Sequence, residues 1–225
     1  MLISYDQNFL FVHVPKCAGT SMRVALEQLA GNPLECWENR LLNRIGINLN
    51  VIGPYQRRRF RNHSTAAQIR RYLPAHVYQS LFKFAFVRNP WDRLVSLYYF
   101  IQRRPQHRYN KLVSGMRFPE FADVWTQRRD ILQKNWVCDS TGRLIVDFVG
   151  RMESLEEDFD RIRYQLGGHA QLNILNSGGT RRDYRRMYDD ATRDLVADRL
   201  AADIHFFGYQ FDPAADMGEG LRDSA

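Results

Sequence analysis

Phe9-Leu10-Phe11-Val12-His13-Val14-Pro15-Lys16-Cys17-Ala18-Gly19-Thr20-Ser21-Met22 is the stretch on which the rest of the chain is read. Its first six residues are mostly apolar and rich in branched and aromatic side chains, the composition of a buried parallel strand, and an apolar pattern at helical spacing resumes at Met22. The turn between strand and helix holds Lys16, Gly19, Thr20 and Ser21. Glycine lets the backbone approach a ligand, the two hydroxyls stand beside the unpaired N–H groups of a new helix, and the lysine adds positive charge. Such a turn is an anion cradle. Met22, Ala25, Leu26 and Leu29 then form one apolar helix face, closed by Gly31-Asn32-Pro33.

The same grammar returns further on. Leu81-Phe82-Lys83-Phe84-Ala85-Phe86-Val87 reads as a second strand, followed at once by Arg88-Asn89-Pro90-Trp91-Asp92-Arg93 and a helix with Leu94, Leu97, Tyr98 and Ile101 on its apolar side. Asn89 as N-cap, Pro90 at the first helical position and Asp92 in the first turn mark its start. Leu144 to Val149 reads as a third strand. Ser154 and Glu157 have the spacing of a capping box for a helix bearing Leu155, Phe159, Ile162 and Leu166, closed by Gly167-Gly168.

Between these units, Ala66 to Leu73 is a helix stopped by Pro74, with His63 at its entrance, and Phe118 to Gln133 is loosely helical. Asp190 to Asp203 reads as a last helix, and Phe206 to Phe211 as a short strand or a packed aromatic tail. Residues 34–62 are poorly patterned and include the basic run Arg57-Arg58-Arg59-Phe60-Arg61. A connection that long is uncommon inside a compact domain and suits a surface excursion or a binding loop. Residues 169–183 form a polar connection with Arg181 and Arg182. Strands alternating with helices imply a parallel sheet covered on both faces, where ligands gather at the carboxyl ends of the strands, next to Lys16 and Arg88.

Composition bounds the reading. The 225 residues fit one α/β domain, expected over 1–213, with 214–225 as a frayed tail. The formal charge is +7, from 32 Lys and Arg against 25 Asp and Glu, and arginine supplies most of the excess. Its planar fork suits phosphate and carboxylate, so the balance favours an anionic ligand: a nucleotide, an acidic glycan or nucleic acid. Cys17, Cys36 and Cys138 have no C-x-x-C spacing, so neither a zinc site nor a disulfide scaffold is indicated. No apolar run approaches the roughly 18 residues that span a bilayer, and no signal peptide is evident. A soluble, cytoplasmic chain is expected.

A nucleoside triphosphatase loop reads G-x-x-x-x-G-K-[ST] and is paired with an acidic metal ligand. Here the lysine comes three residues before the glycine, and the second strand ends in Arg88 instead of a carboxylate. A transferring sulfuryl group carries less negative charge than a phosphoryl group, so fixed donors and one lysine can stabilise its transfer without Mg²⁺. A P-loop kinase with an aberrant loop and a basic nucleic-acid-binding module are the alternatives. Against the second, the aromatics lie mainly in apolar core patterns and do not alternate with arginines.

Pro15-Lys16-Cys17-Ala18-Gly19-Thr20-Ser21 resembles the 5′-phosphosulfate loop of sulfotransferases, and Phe86-Val87-Arg88-Asn89-Pro90-Trp91-Asp92-Arg93-Leu94-Val95-Ser96 resembles their 3′-phosphate motif. With Asn62-His63-Ser64-Thr65-Ala66 and the segment Phe206 to Phe211, the likeness is to carbohydrate sulfotransferases of the heparan 2-O-sulfotransferase and chondroitin type, in their small bacterial form. The resemblance implies a three-layer α/β fold, a parallel sheet flanked by helices, like that of P-loop nucleoside triphosphate hydrolases. It implies 3′-phosphoadenosine 5′-phosphosulfate (PAPS) as donor, 3′,5′-ADP as product and no metal. Lys16 would assist departure of the nucleotide, and Lys16, Cys17, Ala18, Gly19, Thr20 and Ser21 would form the 5′-phosphate cradle. Arg88 and Ser96 would grip the 3′-phosphate, and His63 would be the general base. Arg57, Arg58, Arg59 and Arg61 would meet an acidic acceptor, expected to be a hydroxyl-bearing glycan or glycolipid and not nucleic acid. His13 is read as a structural strand residue.

Overall fold

A computed structural model describes residues 1–30, 37–44, 51–52, 63–168 and 183–212. These fall into two compact units, one of residues 1–87 and 135–178, the other of 88–134 and 179–225.

The first unit is built on a sheet. Strands β1 (Leu2–Ser4), β2 (Phe9–Val12), β3 (Val51–Ile52), β4 (Phe82–Val87) and β5 (Phe148–Arg151) lie in the order β3-β1-β2-β4-β5. The expected α/β class holds, but the sheet is mixed, not parallel throughout. β1 runs antiparallel to β2, pairing Leu2 with Phe11 and Ser4 with Phe9, whereas β2–β4, β4–β5 and β1–β3 are parallel. The cause is local: the turn Tyr5–Asn8 is too short for a crossover, so β1 and β2 can only form a hairpin. Asn8 takes φ 50° in that turn, a conformation asparagine tolerates well.

β2 is buried along its whole length and β4 over all but its first residue, as fits strands flanked on both sides and on both faces. Phe84 packs its ring against those of Phe9, Phe11 and Phe82 at 5.5–6.0 Å. Helix α1 (Gly19–Ala30) buries Met22, Ala25 and Leu26, the face anticipated from their spacing. α2 (Trp37–Arg44) follows. α3 (Ala66–Tyr72) starts on a full capping box, in which the Thr65 hydroxyl accepts from Gln68 N–H while the Gln68 side chain accepts from Thr65 N–H. α4 (Ala75–Ser80) has no counterpart in the sequence reading.

The third strand lies later than expected. Leu144 and Ile145 bond to the 137–138 segment instead, Leu144 bridging Cys138 and Ile145 N–H donating to Val137 O. Asp147 then replaces a ladder partner with its side chain, its carboxylate accepting the backbone N–H and the ammonium of Lys83, so β5 opens only at Phe148. After a 3₁₀ turn at Met152–Ser154, α9 (Leu155–Gln165) buries Leu155, Phe159 and Ile162. The Ser154–Glu157 box is not made: the Ser154 hydroxyl donates to Asp158, which also accepts Arg151 N–H. Gly167, at φ 64°, ends the helix.

The second unit is helical: α5 (Pro90–Gln102), α6 (Asn110–Val113), α7 (Phe118–Thr126), α10 (Asp190–Arg199) and α11 (Ala201–Phe207), with a 3₁₀ turn at Tyr184–Met187. The short α8 (Lys134–Val137) spans the chain boundary between the units. Trp91, Leu94, Tyr98 and Ile101 of α5 pack with Phe118, Phe121, Trp125, Val196 and Leu200 in one core. The single helix read over Asp190 to Asp203 is two, because the chain turns at Leu200, whose carbonyl accepts from Asp203 and Ile204. Phe206 and Phe207 belong to α11, which Gly208 ends at φ 63°, while Phe211 packs edge-on to Trp91, Tyr184 and Tyr188. Among the described residues no helix is long and apolar enough to cross a membrane.

Candidate functional site

In the first unit β2 ends at Val12 and α1 begins at Gly19. The turn between them is held in a conformation its sequence does not advertise. Lys16 sits at φ 70° and Ala18 at φ 55°, both in the left-handed region, while Gly19 is not at positive φ. Left-handed residues alternating along a turn aim successive backbone N–H groups into one concavity, a nest for an anion, and they cost energy that the surroundings must supply. The first intrahelical bond of α1 runs from Met22 N–H to Ala18 O at 3.0 Å, so the N–H groups of Gly19, Thr20 and Ser21 precede the helical ladder. The dipole of a 12-residue helix adds positive potential at the same end. Cys17 is buried and Thr20 exposed.

Gly19 is a glycine for a different reason from the one its sequence suggests. A β-carbon there would stand 1.7 Å from His13 Nε2 and 2.1 Å from Cδ2, so the imidazole of His13 fills the missing side chain's volume. His13 lies one residue beyond β2, and the alternation of the strand hides it among apolar neighbours.

His63 joins this group from 50 positions away in sequence. Its ring centroid is 4.4 Å from that of His13, and Trp136 meets it edge-on at 6.0 Å. His63 Nδ1 lies 3.2 Å from the backbone carbonyl oxygen of His13. A carbonyl only accepts, so Nδ1 carries the hydrogen, and in the neutral ring Nε2 keeps its lone pair. Burial lowers the His63 pKa, opposed in part by that hydrogen bond. Burial foremost, with His63, Arg23 and Lys16 adding to it, pushes His13 down to about 2. Lys16, Gly19, His13 and His63 therefore form one cluster with both imidazoles neutral near pH 7.

In the second unit Arg88 follows β4 directly in sequence and precedes α5. Its Nε and one terminal nitrogen both donate to the Asp92 carboxylate at 2.8 Å, a bidentate pair one helical turn apart. The Arg88 main chain is clamped as well: its N–H donates to Gln133 Oε1 at 2.9 Å, and its carbonyl accepts from Gln133 Nε2 at 2.8 Å. Gln133 is buried and held in turn by Asp203, whose two oxygens accept the N–H groups of Gln133 and Lys134 at 2.6 and 2.9 Å. Burial raises the Asp203 carboxyl, and those N–H groups pull it back. Asn89 caps α5 by accepting from Trp91 N–H, as its place before Pro90 implied. Ser96 is half-buried two turns into the helix.

Of the residues singled out from sequence, 16–21 share one strand-to-helix junction, His63 is brought to it through His13, and Arg88 precedes the helix that carries Ser96. Arg57, Arg58, Arg59 and Arg61 lie outside the described residues, as do Cys36, 169–182 and 213–225. Asp92 as the partner of Arg88 and the Gln133–Asp203 clamp were not anticipated, nor was the contact with Gly19 made by His13, which was read as a structural strand residue. Only Asp92 carried a signal, its i+4 spacing from Arg88. Cys17 and Cys138 are both buried, and the Cys17 thiol donates to the Pro15 carbonyl. Among the described residues no group of three or more His, Cys, Asp or Glu gathers in a metal-holding arrangement.

A sequence model of the sulfotransferase family matches residues 1–210. The chain belongs to the sulfotransferase family. Carbohydrate sulfotransferase 11 of Danio rerio is 28% identical to this chain over 212 residues, covering 77% of the chain and 54% of the fish protein. The Mus musculus protein of the same name is 25% identical over 238 residues, covering 88% of the chain and 61% of the mouse protein. An uncharacterized protein of Archaeoglobus fulgidus is 24% identical over 131 residues, 54% of the chain and 98% of the archaeal protein. The chain thus spans between half and two thirds of the length of these carbohydrate sulfotransferase relatives.

Proposed function

We propose that this chain moves a sulfuryl group to a hydroxyl, most simply one on a carbohydrate. The observation that carries the reading is the hydrogen bond from His63 Nδ1 to the His13 carbonyl, which leaves a neutral Nε2 free to accept a proton beside the Lys16–Ser21 turn. PAPS would supply the sulfuryl group and a nucleotide leaving group. The nest at Lys16 and Ala18, the N–H groups of Gly19, Thr20 and Ser21, and the Lys16 ammonium suit a 5′-phosphosulfate by charge and donor geometry.

Each residue then has a physical task. Lys16 neutralises charge that grows on the leaving phosphate, which lowers the barrier more than it strengthens binding of the ground state. Nε2 of His63 takes the acceptor hydroxyl's proton as the new S–O bond forms, and the carbonyl of His13 keeps the ring in the competent tautomer. Arg88, oriented by Asp92 and Gln133, and Ser96 would take the 3′-phosphate.

The test is a thermal shift with 3′,5′-ADP, 5′-AMP and ATP in the presence of EDTA. Selective stabilisation by 3′,5′-ADP is expected, since a ligand at 100 times its Kd adds about 2.7 kcal/mol. Equal responses to all three would overturn the reading, and so would a response to ATP that appears only when Mg²⁺ replaces the EDTA, which would favour a kinase.

A further inference from the structure

Between Asp92 and Glu120 the chain contains no carboxylate side chain, while Arg93, Arg103, Arg104, Arg108, Lys111 and Arg117 all fall there. Arg93 is buried and donates to the Ile131 carbonyl, so it belongs to the core. The rest of this run emerges at the far end of α5 and around α6. Arg103, Arg104, Arg108 and Lys111 are exposed, and among the described residues none of the four makes an ion pair.

These cations are not loose. Arg104 lies over the Phe100 ring at 4.1 Å, Arg103 over Tyr99 at 5.4 Å and Arg108 over Tyr109 at 4.4 Å. The rings are themselves in sequence: Phe100 meets His107 at 5.7 Å, His107 meets Tyr109 at 5.8 Å, and Tyr109 meets Trp125 at 5.3 Å. Arg128, paired with Asp130, shares the Tyr109 ring at 5.1 Å. Arg104, Arg108 and Arg128 thus lie on one connected row of rings, with the Arg103–Tyr99 pair beside it in sequence. Burial first, then Arg108 and Arg104, hold the His107 imidazole below its ordinary pKa, so positive potential is felt along this row.

Two plain explanations fall short. A helix C-terminus favours cations, but the effect fades within about a turn and reaches Arg103 and Arg104, which follow α5 directly, and not Arg108 or Lys111. Solubility needs charge of either sign and gives no reason to stack each arginine on a ring, which costs side-chain freedom. Contact with a ring instead restrains the guanidinium groups at the surface, where their planar fork can meet carboxylates and sulfates two N–H groups at a time.

We infer that the surface of Arg103, Arg104, Arg108 and Lys111 is a docking site for an acidic polysaccharide, an inference that rests on the reading of the acceptor as a carbohydrate. It is separate from the 3′-phosphate residues. α5 has 13 residues, about 20 Å at 1.5 Å per residue, and Arg88 precedes its first turn while Arg103 follows its last. A polymer of repeating acidic groups is the ligand that such a surface holds best, and holding it raises the local concentration of its acceptor hydroxyls. Nucleic acid fits less well, because the ring faces on which bases would stack are covered by guanidinium groups.

The experiment measures fluorescence anisotropy of an end-labelled heparin dodecasaccharide with the full chain at several salt concentrations. It compares wild type, the triple variant Arg104→Ser, Arg108→Ser, Lys111→Ser, and a control of equal charge change, Arg143→Ser, Arg161→Ser, Arg163→Ser. The patch variant is expected to bind at least about tenfold more weakly, with a shallower dependence on salt by two to three ions, roughly one per contact removed. The control should lose less than about threefold. Equal losses in the two variants overturn the proposal in favour of net charge alone. Single-stranded DNA of matched charge binding as tightly, with the same loss in the patch variant, overturns it in favour of a nucleic-acid surface. Phosphatidylserine vesicles doing so overturn it in favour of a membrane surface. A wild-type chain that ignores 3′,5′-ADP yet loses heparin with the patch substitutions overturns the donor reading and sustains the docking surface.

Discussion

The imidazole of His13 occupies the place where a side chain on Gly19 would begin, Nε2 standing 1.7 Å from the absent β-carbon. Two residues that bracket the turn are thereby sized for each other. Gly19→Ala is expected to displace the ring and cost about 1–3 kcal/mol, the usual penalty for overpacking. His13→Ala opens space, so the double variant should recover part of the loss. Denaturant unfolding of the four proteins reads the coupling directly, and strictly additive losses would show that the two positions do not share volume.

Acid should unfold this protein early through the same pair. An unfolded imidazole titrates near 6.5, whereas folded His13 stays neutral down to about 2. Above pH 6.5 neither state binds the proton and stability is unaffected. Below it the unfolded chain takes up a proton that the folded chain refuses, so stability falls as pH falls, by up to about 1.4 kcal/mol per pH unit. His63, also lowered, acts with the same sign. His13→Gln should flatten the decline between pH 6.5 and 4.5 in thermal melts; an unchanged slope would assign the acid sensitivity elsewhere.

His63→Ala is expected to lower turnover by about 10² to 10⁴ while leaving 3′,5′-ADP binding within twofold. Because burial lowers its pKa, the acid limb of the wild-type activity profile should fall below 6.5. A limb at or above that value, or undiminished turnover in the variant, would remove His63 as the base.

Arg88→Lys keeps the charge and loses the fork that Asp92 holds at two points. Calorimetric titration should show 3′,5′-ADP binding weakened by at least about tenfold, equivalent to about 1.4 kcal/mol, with 5′-AMP much less affected. Equal loss for both nucleotides would deny Arg88 a role in reading the 3′-phosphate.

The two strand-to-helix junctions were legible because everything that makes them is close in sequence. Apolar runs end in Lys16 and in Arg88, and Asn89-Pro90 starts α5 by its own chemistry. What escaped depends on distant partners. Leu144 and Ile145 have strand composition, yet Cys138, Val137 and Tyr78 take their backbone groups, Tyr78 by donating its hydroxyl to Ile145 O. Ser154 has a capping spacing, but Asp158 outcompetes Glu157 for its hydroxyl. At the site, the glycine drew the eye as the conformationally free residue, whereas Lys16 and Ala18 bear the left-handed backbone and the glycine bears a histidine's ring. Gln133 and Asp203 lie 45 and 70 positions apart from their partners, beyond any local pattern.

The strand order also sets a schedule for biosynthesis. β2 acquires β1 at once, but its other edge waits for β4, with Phe9 facing Phe82 and Phe11 facing Phe84. At roughly 5–20 residues per second a ribosome takes about 4 to 15 s to make the intervening chain. During that interval a nascent hairpin rich in phenylalanine presents an open edge, which makes it a natural client for a chaperone waiting at the exit tunnel.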